Sequence, residues 1–215
     1  MSRFLITAGA TREFFDPVRF ISNPSSGKMG FALAAAAQLA GHTVELVHGP
    51  VSLPVPVGVH AHAVVTGAEM LACAGKLFPH CDILIMTAAV CDFRPKHYSA
   101  DKVKKENASL VVEFERTPDI LKTLSAQKTA AQTLVGFAAE TQDIENYARR
   151  KLEEKNLDFI AANQVGGTGA ENAFGSDTNR LILLGKNSFR LEYGPAPKSE
   201  IARWLVAEIL ARVAA

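Results

Sequence analysis

The sequence predicts an α/β fold in three layers: a Rossmann-like, mostly parallel sheet with helices on both faces and an arm protruding from it. Short β-rich runs alternate with helical periodicity along most of the chain, which is the rhythm of βαβ units. The runs FLITAG and ILIMTAAV are apolar at successive positions, as suits strands buried on both faces of a parallel sheet. A chain of 215 residues suits one large domain or two small ones, and a domain of that size buries about 70% of its unfolded surface. No repeat and no domain boundary interrupts the pattern, so residues 1–215 are read as one domain.

The first strand covers residues 4–9 and runs into TAGATRE, a turn signal. SNPSSGKMG then opens a helix over 28–40. A strand over 43–49, a Pro-rich loop to 57, a strand over 59–65 and a helix over 68–77 follow, and a buried strand occupies 83–90. There the rhythm lapses: CDFRPKHYSADKVKKENA has one proline, several lysines and no apolar periodicity, and the strand-like SLVVEFER follows it. Residues 91–118 are therefore expected to form an arm with a flexible basic loop. Alternation resumes with a strand over 133–139, a charged helix over 144–157 and a strand over 159–165. A Gly-rich loop, the hairpin-like pair RLILLGK and FRLEYG, and a closing helix over 198–213 complete the chain.

Composition narrows the function classes. Hydrophobic residues make up 48% and charged residues 21%, against disorder and disulfide scaffolds. Lys+Arg 23 against Asp+Glu 22 leaves a formal charge of +1, too balanced for a nucleic-acid partner. Cys73, Cys81 and Cys91 lack CxxC spacing, as expected of reduced thiols in a cytoplasmic protein. No run of about 18 apolar residues is present, so no membrane association is expected.

Chemistry-bearing residues cluster where open α/β sheets place ligands, at the carboxyl ends of parallel strands. Ser25, Ser26, Gly27, Lys28 and Gly30 open a helix, where free N–H groups and the helix dipole favour a phosphate. An ordinary Ser N-cap with glycines for close packing is the alternative, and the spacing matches neither GxxxxGK[ST] nor GxGxxG. Ala88 and Ala89 let a ligand approach the backbone, and Asp92 sits at the same strand edge or simply caps a turn. Lys102, Lys104 and Lys105 form either a solvated face or a basic loop closing over phosphates. Phe137 is a core residue or flanks a nucleobase. Lys151 and Lys155, four apart, share a helix face or pair with neighbouring glutamates. His60 and His62 point the same way along a strand, with no recognisable third ligand for zinc. No GxSxG occurs, and nothing sets a cysteine beside a histidine.

Taken in order, ITAGATREFFDPVRFISNPSSGKMG, MTAAVCDFRP, DKVKK, GFAAET and AANQV resemble phosphopantothenoylcysteine synthetase over nearly the whole chain. The resemblance implies a ligase of coenzyme A biosynthesis. The carboxylate of 4′-phosphopantothenate attacks the α-phosphorus of a nucleotide, and the amine of L-cysteine then attacks the acyl nucleotidylate. ISNPSSGKMG and DKVKK look like the bacterial, CTP-dependent pattern; the same reaction with ATP is the alternative. It further implies Mg²⁺ with CTP, unidentified metal ligands and a homodimer joined through the arm. The chain's start at the first synthetase strand suggests a stand-alone enzyme, with a separate phosphopantothenoylcysteine decarboxylase as a conceivable partner.

Residue by residue, the resemblance assigns Gly9, Ser25, Gly27 and Gly30 to the triphosphate, with Lys151 and Lys155 on its side. Phe137 and the Ala88–Ala89 backbone go to the nucleotide end and Asn163 to the base. Arg19, Asn23, Ala88, Ala89 and Asp92 match phosphopantothenate positions, with Arg19 serving the other subunit's substrate. Asn23, Asp92 and Lys102 carry catalysis, Asp92 and Lys102 also contacting nucleotide. Ala10, Pro24, Cys91 and Gln164 depart from the family pattern; Ala10 demands a negative φ, and Gln164 removes a carboxylate near the base. Two rivals remain: a nicotinamide- or flavin-dependent reductase, against which the missing GxGxxG weighs, and a non-catalytic nucleotide-binding module.

Overall fold

A computed structural model describes residues 1–104, 111–165 and 175–213. Lys105, the first residues of SLVVEFER and the Gly-rich loop after Val165 lie outside them. The chain opens with β1 (Arg3–Ala8), the short strands β2 (Arg12–Phe14) and β3 (Phe20–Ser22), and α1 (Lys28–Leu39). Next come β4 (Thr43–His48), β5 (His60–Ala63), α2 (Gly67–Leu77), a single 3-10 turn and β6 (Ile83–Met86). The arm contributes β7 (Phe93–Pro95) and β8 (Phe114–Arg116), and α3 (Ile120–Ser125) leads back to the body. β9 (Thr133–Glu140), α4 (Ile144–Glu154), β10 (Phe159–Gln164), β11 (Thr178–Gly185), β12 (Arg190–Pro197) and α5 (Lys198–Val213) complete it.

Eight strands form one sheet in the order β12-β11-β10-β9-β6-β1-β4-β5. The six from β10 to β5 run parallel, while β11 and β12 add an antiparallel edge. The expected three layers follow from the two faces of the apolar strands. In β1, Phe4, Ile6 and Ala8 pack with Phe31 and Leu33 of α1 and Ile201 and Leu205 of α5. Leu5 faces the other side, where Met70 of α2, Leu124 of α3 and Leu152 of α4 lie. Successive apolar residues in FLITA are thus needed on both sides.

The helices begin differently, and the difference matters for the site. α2 has a full capping box: the Thr66 hydroxyl accepts from Glu69 N–H and the Glu69 carboxylate reaches back. The buried Glu13 on β2 also accepts from Gly67 N–H at 2.8 Å. α1 starts from Gly27, with φ 77°, no side-chain cap and no acidic residue in its first turn. The Ser N-cap alternative is therefore not what forms; the Ser25 hydroxyl accepts from Gly27 N–H at 3.4 Å, short of the helix.

Several bounds differ from those the sequence suggested. The 83–90 strand stops at Met86, because Ala89 N–H bonds Gly9 O at 2.8 Å in a turn against the end of β1. The charged helix stops at Glu154 rather than 157; Asn156 takes φ 48°, the left-handed conformation that ends helices. The β2–β3 hairpin and α3 had no counterpart in the sequence pattern. His60 and His62 do point the same way, and both bond the Glu45 carboxylate, at 3.2 and 2.6 Å.

Candidate active site

Strand order reverses around β1 and β6, and the carboxyl ends of these strands form the floor of a cleft of about 790 Å³. Its floor is built for close approach. Gly9 takes φ 77°, and Ala10, bridged to Ala89, keeps the negative φ its side chain requires. The Thr87 hydroxyl donates to Thr7 O at 2.5 Å, and the Thr7 hydroxyl accepts from Ala88 N–H at 3.3 Å. A Cβ on Gly30 would lie 2.5 Å from both Ala8 Cβ and Thr87 Oγ1, so only glycine lets α1 seat this close to the floor.

One wall is the start of α1: Ser25, Ser26, Gly27, Lys28 and Gly30 all line the cleft. The uncapped N-terminus of α1 leaves its first N–H groups and positive dipole end beside that space. The opposite wall brings Arg150, Lys151 and Lys155 together with the start of α3. Lys151 Nζ donates to Glu140 Oε1 at 2.6 Å, and Lys155 Nζ meets Asp119 Oδ2 at 2.8 Å. These are carboxylates of β9 and of the turn before α3, rather than neighbours on the lysines' own helix. Asp119 also caps α3, accepting from Lys122 N–H at 2.9 Å. Burial opposes its charge, but Lys155 and that N–H hold the carboxyl below its ordinary value.

Ala88, Ala89, Asp92, Phe137 and the buried Asn163 complete the sequence-predicted lining. Phe137 does both things weighed for it: it packs against the core around α1 and α5 and borders the cleft. Asp92 is exposed at the rim, where its backbone carbonyl accepts from Thr117 N–H at 3.0 Å.

Four candidate residues stand outside the lining. Gly9 lies beneath Gly27, within about 3.4 Å of where a Cβ there would sit. Asn23 is anchored to the floor, its Nδ2 donating to Ala89 O at 3.1 Å and Val90 O at 3.2 Å. Arg19 binds Asp16 and donates to Val103 O at 2.9 Å; it holds the buried Asp16 carboxyl well below the usual range. Lys102 is exposed beside that anchored stretch. The thiols of Cys73, Cys81 and Cys91 are all pushed up by burial, Cys81 to about 12.

The structure adds residues the sequence did not single out: Arg116, Thr117, Asp119, Asn179 and Lys198. Pro118-Asp119 ahead of an apolar run was the available signal for α3. Six cationic side chains and two carboxylates line the described cleft, so it suits a polyanion. Among the described residues, no group of three or more His, Cys, Asp or Glu side chains could hold a metal ion. No described helix is long and apolar enough to cross a membrane.

Comparison with known proteins agrees over the full fold. A family model described as the DNA/pantothenate metabolism flavoprotein C-terminal domain matches residues 1–213. The coenzyme A biosynthesis bifunctional protein CoaBC of Bacillus subtilis is 47% identical over 208 residues, 96% of this chain and 50% of that protein. This chain thus spans about half the length of the curated relatives it matches. A crystal structure of the C-terminal domain of a CoaBC protein shares 42% identity and a TM-score of 0.82, covering 97% of this chain and 93% of that one. A Cab2 complex with phosphopantothenate-cysteine shares the fold, at a TM-score of 0.78 and 17% identity over 99% of this chain and 86% of that one.

Proposed function

This chain belongs to the DNA/pantothenate metabolism flavoprotein C-terminal domain family, and from that premise we propose that it joins 4′-phosphopantothenate to L-cysteine at the expense of CTP. The observation that carries the reading is the cleft between an uncapped helix start and a lysine-bearing wall, at the switch point of a parallel sheet. Kinship with CoaBC, named for coenzyme A biosynthesis, supports a coenzyme A precursor as the substrate class.

In the first half-reaction, a carboxylate oxygen of 4′-phosphopantothenate attacks the α-phosphorus of CTP. The bond from that phosphorus to the bridging oxygen breaks, and pyrophosphate leaves with the electron pair. Gly27 and Gly30 let the start of α1 seat closely on the floor beside the triphosphate, while Lys151 and Lys155 face it from the other wall. Both lysines are held by carboxylates, so they are pre-aimed and need little reorganisation. Phe137 and Asn163 border the base, and Ala88–Ala89 present backbone to the nucleotide. Mg²⁺ carried by the CTP phosphates would neutralise part of their charge. Asp92 and Asp119 are the carboxylates lining the described cleft that suit such a substrate-borne ion.

In the second half-reaction, the cysteine amine attacks the acyl carbonyl, loses a proton and expels CMP. Negative charge grows on the carbonyl oxygen, and the Asn23 amide meets it by exchanging one backbone carbonyl for the substrate. Asp92 at the rim positions the substrate, and Lys102 closes over the phosphates from the arm. Arg19 fixes the base of that stretch through Val103 and serves the second subunit's substrate in a homodimer. Phe93, Tyr98, Val111 and Phe114 of the arm are exposed apolar residues, and a second copy of the chain is their proposed cover.

The test is pyrophosphate release by the purified chain with 4′-phosphopantothenate, cysteine and Mg²⁺, comparing CTP with ATP. Release with CTP that requires phosphopantothenate is expected. A preference for ATP would overturn the nucleotide assignment, and silence with both from folded protein would leave a nucleotide-binding module.

A further inference from the structure

Lys198 is the first residue of α5, yet only 6% of it is exposed. Lysine is almost never buried this deeply unless its charge is met. Its side chain lines the cleft, and its Nζ donates to Ser176 O at 2.6 Å. Its backbone N–H donates to Asp177 O at 2.9 Å. Lys28, at the start of α1 on the same face of the sheet, grips the same stretch: its Nζ meets Asp177 Oδ1 at 2.6 Å and Gly175 O at 3.2 Å. α1 and α5 therefore bring two helix starts and two ammonium groups to one end of the cleft. Asp177 is largely solvent-facing and does not line the cleft. Burial and the charge of Lys28 both push the Lys198 ammonium toward losing its proton, with Asp177 opposing them. Both ammonium groups border the cleft beside the uncapped start of α1.

Resting on the nucleoside-triphosphate reading above, we infer that Lys198, together with Lys28, binds the β- and γ-phosphates of the nucleotide, the pair that leaves as pyrophosphate. Lys28 directly follows the Gly27 turn, which places this cationic pair beside the phosphate wall. An ammonium group has no acceptor capacity and no shape to read a base edge, whereas a terminal phosphate offers it several oxygens.

Calorimetric titration of the wild type, Lys198→Met, Lys198→Arg and Lys28→Met with CTP, CMP and pyrophosphate tests the inference. Both methionine variants are expected to lose roughly ten- to hundredfold in affinity for CTP and for pyrophosphate. CMP affinity is expected to stay at the wild-type value, and Lys198→Arg to retain most of the CTP affinity. An equal loss for CMP would make Lys198 a base or ribose contact and overturn the inference. Unchanged CTP and pyrophosphate binding in both methionine variants would overturn it while the ligase reading stood. Folded wild type that binds neither CTP nor pyrophosphate would remove both. Lys28 is partly exposed, so Lys28→Met carries the test if Lys198→Met does not fold.

Discussion

Asn23 engages both protons of its amide with the carbonyls of Ala89 and Val90, so the loop before α1 is tied to the turn after β6 by one side chain. An aspartate there would set carboxylate oxygens against those carbonyls and oppose the charge that grows as cysteine attacks. Asn23→Asp is expected to slow amide formation from preformed acyl nucleotidylate by about 10²–10³, the typical effect of losing one such donor. Rapid-quench measurement of that single step checks it, and a wild-type rate would contradict the role. The three cysteines stand apart from this chemistry. Each has a thiol disfavoured from ionising by burial, and the proposed bond is an amide made by the substrate's amine, so no thiol takes part.

At the scale of elements, α3 joins the start of a short helix to a cleft lysine through Asp119. Its carboxyl titrates below the unfolded value in the folded state, so its stabilising contribution is fully present above the ordinary aspartate pKa of about 3.9 and fades as pH falls through the lower, folded value. Asparagine caps a helix about as well as aspartate but cannot pair with Lys155. Asp119→Asn is therefore expected to lose less stability than the wild type on acidification below about pH 4, measured by urea unfolding across pH. An identical acid profile would show that the pair contributes nothing. The same element shows where sequence pattern fails. Six residues are too few to display helical periodicity, and the β2–β3 hairpin, with strands of three residues each, is held partly by the tertiary bond from Gly67 N–H to Glu13. The long buried strands were legible because their apolar runs are set by two packed faces.

Across the whole molecule, Gly27, Gly30, Ala88 and Asp92 were readable near turn signals at strand ends and Asn163 only through the family resemblance, and all five line one cleft. Lys198 was not readable, because a lysine opening a helix looks like surface until α5 is seen packed beside α1 at the edge of that cleft. On the proposed reading, eight strands, two helix layers and an arm bring a carboxylate and an α-phosphorus together between cationic walls. Isotope transfer tests whether the carboxylate oxygen attacks that phosphorus. 4′-Phosphopantothenate labelled with ¹⁸O in its carboxylate is turned over with CTP and cysteine, and the products are weighed by mass spectrometry. The account predicts one ¹⁸O in the phosphate of CMP, one retained in the new amide and none in the inorganic products. Label appearing in orthophosphate or pyrophosphate, with unlabelled CMP, would contradict it.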